Sequence, residues 1–139
     1  MINNLIFKKI WQDEHLMELK ITGTSEFVSA WQTCYIDMLT LQRVARQIQG
    51  YIACFDKDCY IVIGNKQGNS SPAFSMNIRK TDNRGHVNIE VDIEIEDISD
   101  RSHRCLFFIS SELGLLERFG KGILSLMISD IDTEVALYE

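Results

Sequence analysis

Apolar and acidic residues alternate along HVNIEVDIEIED, residues 86–97: Val87, Ile89, Val91, Ile93 and Ile95 hold one parity, and Glu90, Asp92, Glu94 and Glu96 the other. A period of two puts the first set on one face of a β-strand and the carboxylates on the opposite face. LIFKKIW and HLMELKITG predict two earlier strands. In the second, Met17, Leu19 and Ile21 alternate with Glu18, Lys20 and Thr22, and Asp13 and Glu14 fall in the intervening hairpin. EFVSAWQTCYI, residues 26–36, reads as a third strand leading into a helix from Asp37 to about Tyr51. Asp37 suits the N-cap, and Leu41, Val44, Ala45, Ile48 and Ile52 recur at helical spacing, which leaves Arg43, Arg46 and Gln47 facing water.

Further along, FDKD is a polar turn, CYIVIG a short buried strand and NKQGNSSP a turn-rich loop. AFSMNIRKT, residues 73–81, DNRG, residues 82–85, and the acidic strand form a hairpin, and RSHRCLFFISS returns as the third strand of a meander. Ser110 or Ser111 is placed to cap a second helix with Leu113, Leu116, Phe119, Ile123, Leu124 and Met127 on its apolar face. Gly114, Gly120 and Gly122 weaken that helix and allow close approach to the sheet. EVALYE is short and β-prone, suited to an edge strand. Hairpin-length connections in place of repeated βαβ crossovers predict an α+β domain. Its sheet is mainly antiparallel, able to curl into a sandwich or half-barrel, with two helices on one side. An all-β sandwich is the alternative. Trp11 and Trp31 are expected as core anchors. In the strand after the acidic one, Cys105, Phe107 and Ile109 compete with Leu106 and Phe108 for the core, so the inward parity stays open.

At 139 residues, 45% hydrophobic and 24% charged, residues 1–139 make a single domain. The net charge of −6 comes from residues 86–100, where Glu90, Asp92, Glu94, Glu96, Asp97 and Asp100 occur without Lys or Arg; the remaining acids and bases balance. Such a segment repels phosphate backbones and anionic lipids and attracts cations or a basic protein, so neither nucleic acid nor membrane is an expected partner. With no apolar run of about 18 residues and no signal-like N-terminus, the expectation is a cytoplasmic protein. Cys34, Cys54, Cys59 and Cys105 are expected reduced and buried, and the Cys54–Cys59 spacing departs from a CxxC turn.

Three readings of the carboxylate stripe compete. A wet sheet face carries this alternation, with Arg79, Lys80, Arg101, His103 or Arg104 as cross-strand cations. Carboxylates fixed on a rigid face also suit docking of a basic protein. The third reading is a carboxylate-based, metal-dependent hydrolase using His86 or His103. It lacks HxxxH and DxDxDG patterns and the lysine that ExK-type metal nucleases place after an acid. His15, His86 and His103 each stand without a ligand-spaced neighbour. GNKQGNSSP matches no phosphate-binding or nucleophile motif, and ERFGKG is a solvated turn of a helix. No catalytic residue, metal or cofactor is expected, and the reading adopted is a binding module. The alternatives are the hydrolase and a structural or ligand-binding domain.

GHVNIEVDIEI followed by HRCLFFISSELGLLERFGKGILSL, within residues 84–127, resembles a group of small bacterial proteins similar to the immunity protein of the cell-wall-associated toxin WapA, encoded beside polymorphic toxins. The resemblance implies a cytoplasmic antitoxin that binds a toxic enzyme, often a basic nuclease, and blocks its cleft. The contact is placed on Glu90, Asp92, Glu94 and Glu96, with Asp97 and Asp100 at the rim; this placement follows from the charge pattern. The sequence leaves the toxin and the oligomeric state open.

Overall fold

The computed structural model describes residues 3–64, 73–95 and 103–138. The chain runs β1 (Asn4–Gln12), β2 (Leu16–Thr24), β3 (Ser29–Asp37), α1 (Met38–Ala53), β4 (Cys59–Gly64), β5 (Ala73–Lys80), β6 (His86–Ile95), β7 (His103–Glu112), α2 (Leu113–Ser125) and β8 (Glu134–Ala136). It is an α+β fold of two antiparallel four-stranded sheets, ordered β3-β2-β1-β8 and β4-β5-β6-β7, and neither closes into a barrel. The predicted meander holds and gains β4 as a fourth strand.

Each sheet turns one parity inward. Leu5 and Phe7 of β1, Met17, Leu19 and Ile21 of β2, and Cys34 and Ile36 of β3 meet Phe74, Met76, Ile78, Ile89, Val91, Ile93, Phe107 and Ile109 of the second sheet. The sheets touch directly at one end. A Cβ built on Gly23 would lie 2.6 Å from Phe107 Cζ, so only glycine lets β2 come this close. Beside this contact the buried Gln32 of β3 donates from Nε2 to the Glu94 carbonyl at 2.6 Å. The helices do not lie on one outer side of a sheet; they pack into the shared core. Phe7 meets Phe74 of β5 edge-on at 5.7 Å and Phe119 of α2 at 5.2 Å, which ties both sheets and a helix together. Gly120 brings α2 against Ile48 of α1, and Gly122 brings it against Val135 of β8. Their close approach is thus to a helix and an edge strand.

Asp37 caps α1 as predicted, its Oδ1 accepting from the Thr40 N–H at 2.7 Å. The Thr40 hydroxyl and N–H hold this carboxyl below its usual range. The second helix differs from its predicted start. Ser110 and Ser111 still belong to β7, Glu112 occupies the N-cap without a side-chain hydrogen bond, and the strand runs straight into α2. After α2, Leu126–Ile128 forms a 3-10 turn whose Leu126 carbonyl accepts from Lys9 Nζ at 2.7 Å. Lys9 is buried on the inward parity of β1, and burial lowers its pKa.

Both tryptophans lie outside, contrary to the expected core role: Trp11 is 42% exposed and Trp31 57% exposed. The β1–β2 register slips between Lys9 and Trp11, so Trp11 comes opposite outward-facing Glu18. For Trp31 the cause is parity alone, since β3 buries Gln32, Cys34 and Ile36. All four cysteines are free. Cys34 is buried and its thiol is pushed up to about 12 by desolvation, whereas Cys54 is exposed, contrary to expectation, and donates to Asp56.

Candidate partner-binding face

Residue pairing across β4–β7 fixes what surrounds the acidic stripe. Tyr60, Asn77, Glu90 and Phe108 form one row across the sheet, and Val62, Ser75, Asp92 and Leu106 form the next. Glu94 then lies opposite Arg104. These positions alternate with the buried Ile89, Val91 and Ile93, so they occupy the face turned away from the core.

Glu90, Asp92 and Glu94 therefore share one surface, yet their surroundings differ. Asp92 is only 5% exposed, and Arg104 grips it in a fork: Nε donates to Oδ1 at 3.1 Å and Nη2 to Oδ2 at 2.7 Å. This bidentate pair is the cross-strand compensation expected of a solvated face, and it removes Asp92 as a direct contact for a partner. Glu90 and Glu94 remain half-buried at the surface. Glu96, Asp97 and Asp100 lie outside the described residues.

The stripe also has apolar neighbours that sequence reasoning did not place there. Tyr60 is 55% exposed, Leu106 47% and Phe108 45%, and all three stand on the same face as the glutamates. Their signal was the double parity of RCLFFI, which holds more apolar residues than one core-facing side takes. Phe107 and Ile109 went inward, and Leu106 and Phe108 outward. Acidic groups around exposed aromatic and aliphatic side chains match the usual anatomy of a protein-binding patch.

The outer face of the first sheet has another character. Lys20 Nζ sits 4.6 Å from the Trp31 ring centre, Trp11 and Tyr35 pack edge-on at 6.1 Å, and Lys8 reaches Asp132 at 3.9 Å.

His86 Nδ1 lies 2.6 Å from Asp82 Oδ2, while Asp82 Oδ1 accepts from the backbone N–H groups of Arg84 and His86, a hydrogen-bonded hairpin turn. These bonds, the Arg84 N–H first, hold the Asp82 carboxyl below its ordinary range. His103 is exposed at the start of β7. Among the described residues no three His, Cys, Asp or Glu side chains converge as metal ligands. No helix among them is long and apolar enough to cross a membrane. Compared with protein-family models, with curated proteins and with solved structures, the chain matches none.

Proposed function

We propose that this chain is a non-enzymatic binding module of the immunity type, a cytoplasmic inhibitor that docks a basic protein, such as a toxin nuclease, on the outer face of its second sheet. One observation carries the reading: Glu90 and Glu94 stand on a rigid β face among the exposed Tyr60, Leu106 and Phe108. The aromatic and aliphatic groups supply desolvated contact, and the carboxylates select and steer a cationic surface. Asp92 acts through its pair with Arg104, holding the centre of the face in shape. Glu96, Asp97 and Asp100 extend the acidic charge in sequence.

The test is co-expression with the product of the neighbouring gene in the chain's own genome. Under this reading the neighbour alone arrests growth, the wild-type chain restores it, and the double variant E90K/E94K restores it poorly while staying folded. A harmless neighbour, or rescue indifferent to the reversed charge, counts against the reading.

A further inference from the structure

Among the described residues β7 is the last strand of its sheet, and one half of its hydrogen-bond ladder meets no neighbouring strand. Leu113 N–H donates to the Gly85 carbonyl at 2.9 Å, in register with the pairing of His86 and Glu112. Antiparallel ladders alternate, so Ser111, Ile109, Phe107 and Cys105 also bond to β6, while Ser110, Phe108, Leu106 and Arg104 turn their N–H and C=O groups away from it. The same alternation is visible at the opposite edge of this sheet. There Tyr60 and Val62 of β4 point their carbonyls outward, and α1 caps them: Gln47 Nε2 donates to Tyr60 at 3.1 Å and Arg43 Nη2 to Val62 at 3.0 Å. On β7 the Ser110 carbonyl accepts from Tyr138 Oη at 2.6 Å. No described residue takes the outward groups of Arg104, Leu106 and Phe108, and all three residues are exposed. Alongside runs an open groove of about 480 Å³ bounded by the β2–β3 turn, with Glu26, Phe27 and Val28 on one side and Cys105 to Phe108 on the other. Phe27 is 90% exposed at its rim.

We propose that β7 takes up an extended, basic segment of a protein partner as a fifth strand of the second sheet, antiparallel to Arg104–Phe108. This rests on the reading above that the partner is basic, and adds how it is held. An unfilled edge specifies a strand, because only a strand supplies donors and acceptors at this spacing. Side chains of one parity lie beside Leu106 and Phe108. Those of the other parity face the groove, where the stem of a Lys or Arg covers Phe27 and Val28 and its charge meets Glu26. The carboxylates beside this edge, Glu26 at the groove and Glu90 and Glu94 on the adjoining face, favour a cationic strand over a second copy, whose own net charge of −6 opposes its approach. The first sheet also ends among the described residues at β3, but on its outer face Lys20 is offset by Glu18 and Lys8 pairs with Asp132, so it gives a cationic strand no net attraction.

The probe is a labelled peptide of about nine residues, the length of an ordinary strand, with Lys and Val alternating, and a Glu/Val peptide as control. Titration of the full chain is expected to show the Lys peptide binding at least roughly tenfold more tightly than the control. By NMR, amide exchange at Arg104, Leu106 and Phe108 should slow on binding. Leu106→Pro removes an outward N–H and leaves the β6 ladder intact, so it should weaken binding by about tenfold or more with little change in Tm. If L106P fails to fold, L106K, which keeps the N–H and sets a like charge against the peptide, serves in its place. Binding that depends on Glu90 and Glu94 without slowed exchange on β7 overturns the strand addition and leaves the basic-partner reading standing. Equal binding of both peptides, or of neither, overturns the proposal. So does a dimer of the chain alone whose β7 amides are already slow to exchange, since the edge would then belong to a second copy.

Discussion

Arg104 is the residue whose removal says most about the acidic face. Its head group is largely in water, but the carboxylate it forks is buried, so R104A strands Asp92 with part of its hydrogen bonding gone. Such a loss costs about 1–3 kcal/mol, toward the lower end here because water reaches the vacated side. Equilibrium urea unfolding should show it, and the deficit should shrink in acid as the stranded carboxyl takes up a proton. A deficit independent of pH would mean that Arg104 acts through packing. Gly23 gives a second residue-scale case. G23A sets a methyl group against the Phe107 ring and is expected to destabilise by about 1–3 kcal/mol, while F107L in the same chain should recover part of the loss. The Gly23 contact was not legible in the sequence, and of the fork only Arg104 was, as one of several candidate cations for the stripe. Asp92 alternates no differently from Glu90 or Glu94, and the fork exists only because the β6–β7 register places Arg104 on the same face, two residues from Leu106, the partner of Asp92. Trp11 misleads for a related reason: hydrophobicity predicts an inward ring, and a register slip nothing marks turns it out.

Elements were easier to read than residues, because periodicity and caps are local signals. The acidic strand, the β5–β6 hairpin turn and the Asp37 cap stand where the pattern puts them, while the start of α2 moves because the strand feeds the helix without a loop. The Asp37 cap yields a pH prediction. Its folded pKa lies below the unfolded value of about 3.9, so its contribution is complete above that value and is lost as pH falls through the folded pKa. D37N keeps a good cap that does not titrate. Its Tm should match wild type near neutrality and fall less steeply below about pH 4, and parallel acid limbs would contradict this. Within α2 the glycines divide. A Cβ at Gly114 would meet nothing within 4 Å beyond its own helix backbone, so G114A should stabilise by up to about 1 kcal/mol. A Cβ at Gly122 would lie 2.6 Å from Val135 Cγ1, so G122A should lower Tm despite the better helix propensity.

At the scale of the whole molecule the two sheets present outer faces of different character, one with Lys8 and Lys20 among tryptophans, the other with Glu90 and Glu94 beside Leu106 and Phe108. The net charge of −6 foretold an acidic side, and hairpin-length connections foretold antiparallel sheets. The apolar half of the face stayed hidden, because one sequence cannot say which parity of β7 turns outward until Phe107 is seen under Gly23. A partner drawn by the carboxylates and then held by the apolar groups has separable kinetics. E90K/E94K should slow association of a basic partner by about tenfold at low salt, with a smaller effect on dissociation. At about 1 M salt, where the screening length is near 3 Å, the two association rates should converge. L106A and F108A should act the other way, speeding dissociation at every salt concentration while association changes little. Stopped-flow binding across a salt series separates the two sets. If charge reversal changed only dissociation, the glutamates would be close contacts within the interface, and steering would have no part in binding.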